Sequence, residues 1–123
     1  MSIPKRVLLG VLAALLIAAG VGHFVIPDRF MAIMPPQLPW HYELVLITGV
    51  LEIAGGLGLL VPRTRKAAAW GVFALLLAMW PANIHHAVAG VQVEGLPASQ
   101  TALWVRVPLQ LVLLAWAWWY TRD

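Results

Sequence analysis

Apolar residues in this chain come in long runs rather than alternating with polar ones. Four such runs, over about 7–26, 42–61, 67–89 and 101–120, are separated by segments rich in proline, glycine and charge. At about 1.5 Å of rise per residue, about twenty helical residues cross roughly 30 Å of hydrocarbon. The pattern predicts four membrane helices in a single domain, 1–123. Pro27, Pro35, Pro36 and Pro39 forbid a continuous helix between the first two, yet Phe30, Met31, Ile33, Met34 and Trp40 are too apolar for a free loop. This segment is expected to form an amphipathic, proline-rich lid on the membrane surface, with a short helical turn around Asp28 to Ile33 and with Trp40 and Tyr42 at headgroup level.

The breaks also carry the charge. Lys5 and Arg6 precede the first run, Arg63, Arg65 and Lys66 follow Pro62, and Arg122 follows the aromatic belt of Trp116, Trp118, Trp119 and Tyr120; Arg29 and Arg106 fall on the other side. That asymmetry predicts both termini in the cytoplasm and an up-down antiparallel order. The expected fold is therefore all-α, an integral membrane four-helix bundle in which Gly49, Gly55, Gly56 and Gly58 let the second helix approach a neighbour. A cleaved signal peptide would also explain the basic start and the small residues Ala18, Ala19 and Gly20, but the run continues past them and carries His23.

Composition agrees: 62% of residues are hydrophobic and 11% charged, more apolar surface than a soluble domain of this size can hide. The chain has no cysteine, which excludes disulfides, thiolate metal sites, iron–sulfur clusters and thiol relays within it. Its net charge of +3 comes from scattered basic residues without aromatic interleaving, so nucleic acid is not an expected partner.

Against this background the intramembrane polar residues stand out. At 100° per residue His41, Val45, Thr48 and Glu52 share one face of the second helix, with Glu43 turned toward the interface. Ala13, Leu16, Gly20 and His23 form a stripe on the first; Asn83 and His86 lie about 60° apart on the third, with His85 turned away toward the headgroups. Arg106 and Gln110 are one turn apart on the fourth, around Pro108. All fall in the outer half, and lipid exposure of such groups is costly, so they are expected to converge on an outward-facing pocket. Glu52 is the candidate catalytic group, as proton acceptor or hydrogen-bond anchor; Arg106 is its expected counter-ion. Asn83 and Gln110 orient a ligand, Thr48 lies on the same face as Glu52, and His23 and His86 act as gate or proton relay. A polar network that only holds the helices in register accounts for the same residues.

His85 and His86 diverge on a helix, and His23, His86 and Glu52 lack the usual ligand spacing, so no metal site is assigned. Haem between His23 and His86 would sit near the interface with no second histidine pair. Gly55-Gly56-Leu57-Gly58 is a packing signal, not a phosphate loop.

Gly22-His23-Phe24 with Pro27 and Phe30, followed by Ile33-Met34-Pro35-Pro36-Gln37-Leu38-Pro39, resembles the first segment of the DoxX family of small bacterial membrane proteins. Thr48 to Leu60 with Glu52 resembles its second helix, and Pro81-Ala82-Asn83-Ile84 and Arg106-Val107-Pro108-Leu109-Gln110 resemble its third and fourth. His85, His86 and Thr48 depart from its usual residues. The resemblance implies a bacterial inner-membrane protein, in a family whose members include a subunit of a thiosulfate:quinone oxidoreductase. The expected function is binding of a small apolar, quinone-like or lipid-like molecule as accessory to a membrane or periplasmic redox partner. Quinone is the cofactor class considered, none is expected to be covalent, and the lipid bilayer and a second copy of the chain are further expected partners. An acid/base enzyme of isomerase type acting on an apolar substrate, and a structural assembly factor without a ligand, stay open as alternatives.

Overall fold

The computed structural model describes residues 1–32, 34, 36–89 and 100–122; the side chains of Asn83, His86, Ala89, Gln100, Ala102 and Leu103 lie outside that description. Within it the chain is all-α. The helices are α1 (Ile3–Val25), α2 (Pro27–Met31), α3 (His41–Leu60), α4 (Arg65–Ala89) and α5 (Gln100–Trp119), closed by a 3₁₀ turn over Tyr120–Arg122. Two of them, α1 and α3, are long and apolar enough to cross a membrane. Ile33, Pro35 and the link over 90–99 fall outside the described residues.

Each boundary has a local cause. Ser2 caps α1, its hydroxyl accepting from the Lys5 N–H at 3.3 Å, and Pro4 is tolerated in the first turn, where N–H groups have no intrahelical partner. The helix thus starts before the apolar run itself. Pro27 ends α1 by holding Ile26 out of the helical region (φ −132°, ψ 56°), then opens the single turn of α2. Before α3, Trp40 adopts the left-handed conformation (φ 54°, ψ 48°), rare for a bulky side chain. At the other end of α3, Val61 is extended, the Thr64 hydroxyl donates to the Gly58 carbonyl at 2.8 Å, and Arg65 Nε donates to the Leu59 carbonyl at 2.8 Å. Those two side chains satisfy carbonyls that no further helical turn can reach.

Successive long helices pack antiparallel. Along α1 and α3, Gly20 meets Gly49 and Ile53, while Ala13 and Ile17 meet Gly56. A Cβ on Gly20 would lie 2.6 Å from the Gly49 carbonyl oxygen, and one on Gly49 would lie 2.7 Å from His23 Cβ. Only backbone fits at this crossing. The α3/α4 contact runs from Gly58 beside Ala68 to Gly55 beside Val72. Between α4 and α5, Trp80 Nε1 donates to the Val107 carbonyl at 2.9 Å and Gln110 Nε2 donates to the Leu76 carbonyl at 3.0 Å.

The apolar core gathers toward the end that holds both termini: Leu9, Leu12 and Leu16 of α1, Leu59, Val72 and Leu76, with Leu114, Ala117 and Tyr120. The Tyr120 hydroxyl donates to the Lys5 carbonyl at 2.9 Å and so ties the last turn to the first helix. The outer faces are different: Val7, Val11, Leu15, Leu51, Leu57, Leu77, Leu109 and Val112 are all exposed.

Candidate functional site

The α1/α3 crossing fixes the position of one histidine. His23 sits in the last turn of α1, 2% exposed, on the stripe with Ala13, Leu16 and Gly20, all of them buried. Its Nδ1 lies 2.7 Å from the Val45 carbonyl oxygen and 3.1 Å from Thr48 Oγ1. A carbonyl can only accept, so Nδ1 carries the proton. The Thr48 hydroxyl donates within its own helix, to the Leu44 carbonyl at 2.8 Å or the Val45 carbonyl at 3.0 Å, leaving a lone pair for the same Nδ1–H. Phe30 of α2 packs over the imidazole with ring centroids 4.0 Å apart.

With Nδ1 committed, the opposite nitrogen faces Glu52. Nε2 lies 3.6 Å from Glu52 Oε1, and the carboxyl group is 3% exposed. Val45, Thr48 and Glu52 are spaced i, i+3, i+7, so one face of α3 supplies the acceptor, the second ligand of the imidazole and the acid. Among the described residues His23 Nε2 and Glu52 Oε2 have no hydrogen-bond partner. Buried polar atoms are nearly always paired, so these two atoms mark a place where a further group fits.

A cavity adjoins His23; Glu52 is not among its walls. A space of about 450 Å³ opens beside His23, bounded by Phe30, Met34, Gln37 and Leu38, by Leu44, Val45 and Thr48 of α3, and by Ala78, Met79, Pro81 and Ala82 of α4. Its walls are mostly apolar, with the imidazole, the Thr48 hydroxyl and the Gln37 amide as polar points. A volume of this order takes a small organic molecule. Among the described residues no three His, Cys, Asp or Glu side chains come together as metal ligands would.

The other sequence candidates are placed as follows. Gln110 is 5% exposed and donates to Leu76 across the α4/α5 contact, and Arg106 on α5 has an exposed side chain. Among the described residues His23 lies within ion-pair distance of Glu52, Nε2 to Oε1 3.6 Å. Asn83 and His86 belong to the helical run of α4, and their side chains lie outside the described residues. Glu43 is exposed and His85 half-buried. Residue patterns alone did not single out Gln37, Met79 or Ala82 as cavity walls. The usable signal was Pro81, which marks the part of α4 that borders the cavity.

A helical chain with two helices of membrane-crossing length and apolarity, and a buried acid–imidazole pair between them, is consistent with a membrane protein. The chain belongs to the family described as Domain of unknown function (DUF8561), which matches residues 12–121 and so takes in the whole site. No curated protein and no solved structure matches it.

Proposed function

We propose that this protein is an integral membrane four-helix bundle that binds a small apolar or amphipathic molecule, of quinone or lipid-like type, in the cavity beside His23. In this reading α1, α3, α4 and α5 are the spans, in up-down antiparallel order, and the segment from α2 to Trp40 is the lid at the outer surface. The exposed apolar side chains along all four long helices support it, because water-soluble proteins rarely leave such continuous surface uncovered. The basic residues before α1, in the α3/α4 turn and after α5 support an orientation with both termini cytoplasmic.

The observation that carries the ligand reading is an apolar cavity walled in part by His23, whose Nε2, like Oε2 of the adjacent Glu52, has no hydrogen-bond partner among the described residues. A ligand hydroxyl can donate to His23 Nε2 or to the Glu52 carboxylate where water is excluded, and a ligand carbonyl can accept once Glu52 carries a proton, while the apolar body of the ligand replaces empty space against Phe30, Leu44 and Met79. Glu52 and His23 are then the hydrogen-bonding and proton-handling groups, and the Val45 carbonyl, with the Thr48 hydroxyl as second acceptor, holds the imidazole tautomer. A quinol brings hydroxyls that donate to such acceptors, whereas a quinone brings only carbonyls, which accept once the pair carries a further proton. The DoxX resemblance adds the context of an accessory to a redox system in the bacterial inner membrane.

Native mass spectrometry of the gently purified protein, with extraction of lipids and quinones, tests this. The wild type is expected to retain a defined apolar molecule; Glu52→Gln is expected to weaken its retention by about tenfold or more while staying folded. Met79→Trp fills the cavity without touching the acid and is expected to abolish retention. Retention unchanged in both variants would overturn the assignment. The same His–Glu pair also suits acid/base catalysis on an apolar substrate, and turnover by the purified protein with no partner present would favour that second reading.

A further inference from the structure

A second cavity lies at the opposite end of the molecule. It occupies about 590 Å³ between the start of α1 and the α3/α4 turn, and its walls are Met1, Arg6, Leu9, Leu60, Pro62 and Arg65. Two arginines, Arg6 and Arg65, therefore border one space with an apolar wall. Arg65 Nε is held by the Leu59 carbonyl at 2.8 Å. The rest of its planar fork, four N–H donors, is not used in that bond. Arg6 engages only through its backbone N–H, which donates to the Ser2 carbonyl, and its guanidinium has no partner among the described residues.

The surroundings reinforce the charge. Lys5 and Arg122 are at the same end, Lys5 Nζ 4.8 Å from the Trp119 ring and Arg122 4.0 Å from the Trp118 ring, and Arg63 and Lys66 flank Arg65 in the turn. The described carboxylates are elsewhere: Asp28 and Glu43 belong to the other end of the chain's path, and Glu52 to the middle of α3. Arginine forks match the oxygens of a phosphate in bidentate geometry, and a pair of them around one cavity is a phosphate-binding arrangement. The apolar half of the cavity decides which phosphate. Leu9 and Leu60 are part of its wall, and Ile3 and Val7 of the same helix start and Val61 beside Leu60 are exposed apolar side chains. A soluble anion makes no use of such a wall; an acyl chain does.

We infer that Arg6 and Arg65 form a binding site for the phosphate headgroup of an anionic glycerophospholipid, with its acyl chains lying along Leu9, Leu60 and these exposed side chains. The inference rests on the membrane reading above but not on the His23 cavity.

Titration of the detergent-purified full chain with phosphatidylglycerol or phosphatidylcholine, followed by native mass spectrometry, tests it. Phosphatidylglycerol is expected to bind about tenfold more tightly, and Arg6→Gln to weaken it about fivefold. Arg63→Gln removes the same charge from the same end outside the cavity and is expected to change affinity less than about twofold. Arg65→Gln is expected to act like Arg6→Gln; it also removes the α3 cap, so Arg6→Gln is the deciding variant. Equal affinity for the two lipids, or an equal effect of Arg63→Gln, would overturn the site in favour of diffuse charge. Inorganic phosphate displacing the lipid at equal concentration would assign the site to a soluble anion and overturn the lipid assignment. Alkaline carbonate extraction of native membranes reads membrane integration separately, so failure of that premise is distinguishable from failure of the site.

Discussion

At the scale of single residues, His23 is the most constrained side chain of the candidate site. One nitrogen is held by α3, the other faces Glu52, and Phe30 covers the ring. Removing one partner of a buried pair leaves the other stranded, which costs more than removing both. His23→Leu is accordingly expected to destabilise the protein by about 3 kcal/mol. The double variant His23→Leu/Glu52→Leu should recover part of that loss in a thermal-unfolding cycle in detergent. Strictly additive effects would show that the two side chains are not coupled. Thr48→Val, which keeps the shape but deletes the hydroxyl, should cost about 1 kcal/mol, with Thr48→Ser close to wild type in the same assay. Trp40 poses a separate residue-scale question. Its left-handed backbone is strained for an indole-bearing residue, and its side chain is 72% exposed. Trp40→Gly is expected to raise stability in detergent by about 1 kcal/mol, since glycine adopts that conformation freely.

Between elements, the α1/α3 contact determines whether the site exists. Backbone meets backbone at Gly20 and Gly49, and the Gly49 position looks directly onto His23 Cβ. Gly49→Val is expected to force the helices apart, costing about 1–3 kcal/mol by overpacking and displacing His23 from Val45. At Gly71, on α4, the place a Cβ would take has no neighbour within 4 Å, so Gly71→Ala should stabilise by up to about 1 kcal/mol through helix propensity alone. Paired thermal scans check both, and a harmless Gly49→Val would mean that the close approach is not required. At the far end, Tyr120→Phe removes the hydroxyl that donates to the Lys5 carbonyl and is expected to cost about 1 kcal/mol.

For the whole molecule, the two ends have different characters. One end holds both termini, the basic residues Lys5, Arg6, Arg63, Arg65, Lys66 and Arg122, and the apolar core cluster; the other holds α2 with Arg29, the His23 cavity and the described acids Asp28 and Glu43. Because the chain has no cysteine, single substitutions report topology without background. In intact spheroplasts a membrane-impermeant maleimide is expected to label Leu38→Cys and to spare Arg63→Cys until the membrane is opened. Labelling of both from the same side would rule out the up-down arrangement.

The elements and the faces they present were legible in the sequence, because both follow from local rules. Pro27 and Pro62 end helices through their own covalent geometry, and the 100° turn per residue puts Val45, Thr48 and Glu52 on one face of α3 and Ala13, Gly20 and His23 on one stripe of α1. Which faces meet is not a local property. Sequence spacing offered Arg106 as the counter-ion of Glu52, Asn83 and Gln110 as orienting groups and His23 and His86 as a gate at the mouth, since helical angles carry no information about the rotation of one helix against another. The tertiary structure brings His23, Thr48 and Glu52 together because Gly20, Gly49 and Gly56 let α1 and α3 approach closely and set their register. The cavity likewise draws its walls from α1, α2, α3, α4 and the segment after α2. Shape of that kind arises only when separate stretches of chain pack, so the sequence by itself determined the helices and their polar stripes, and long-range packing decided the site.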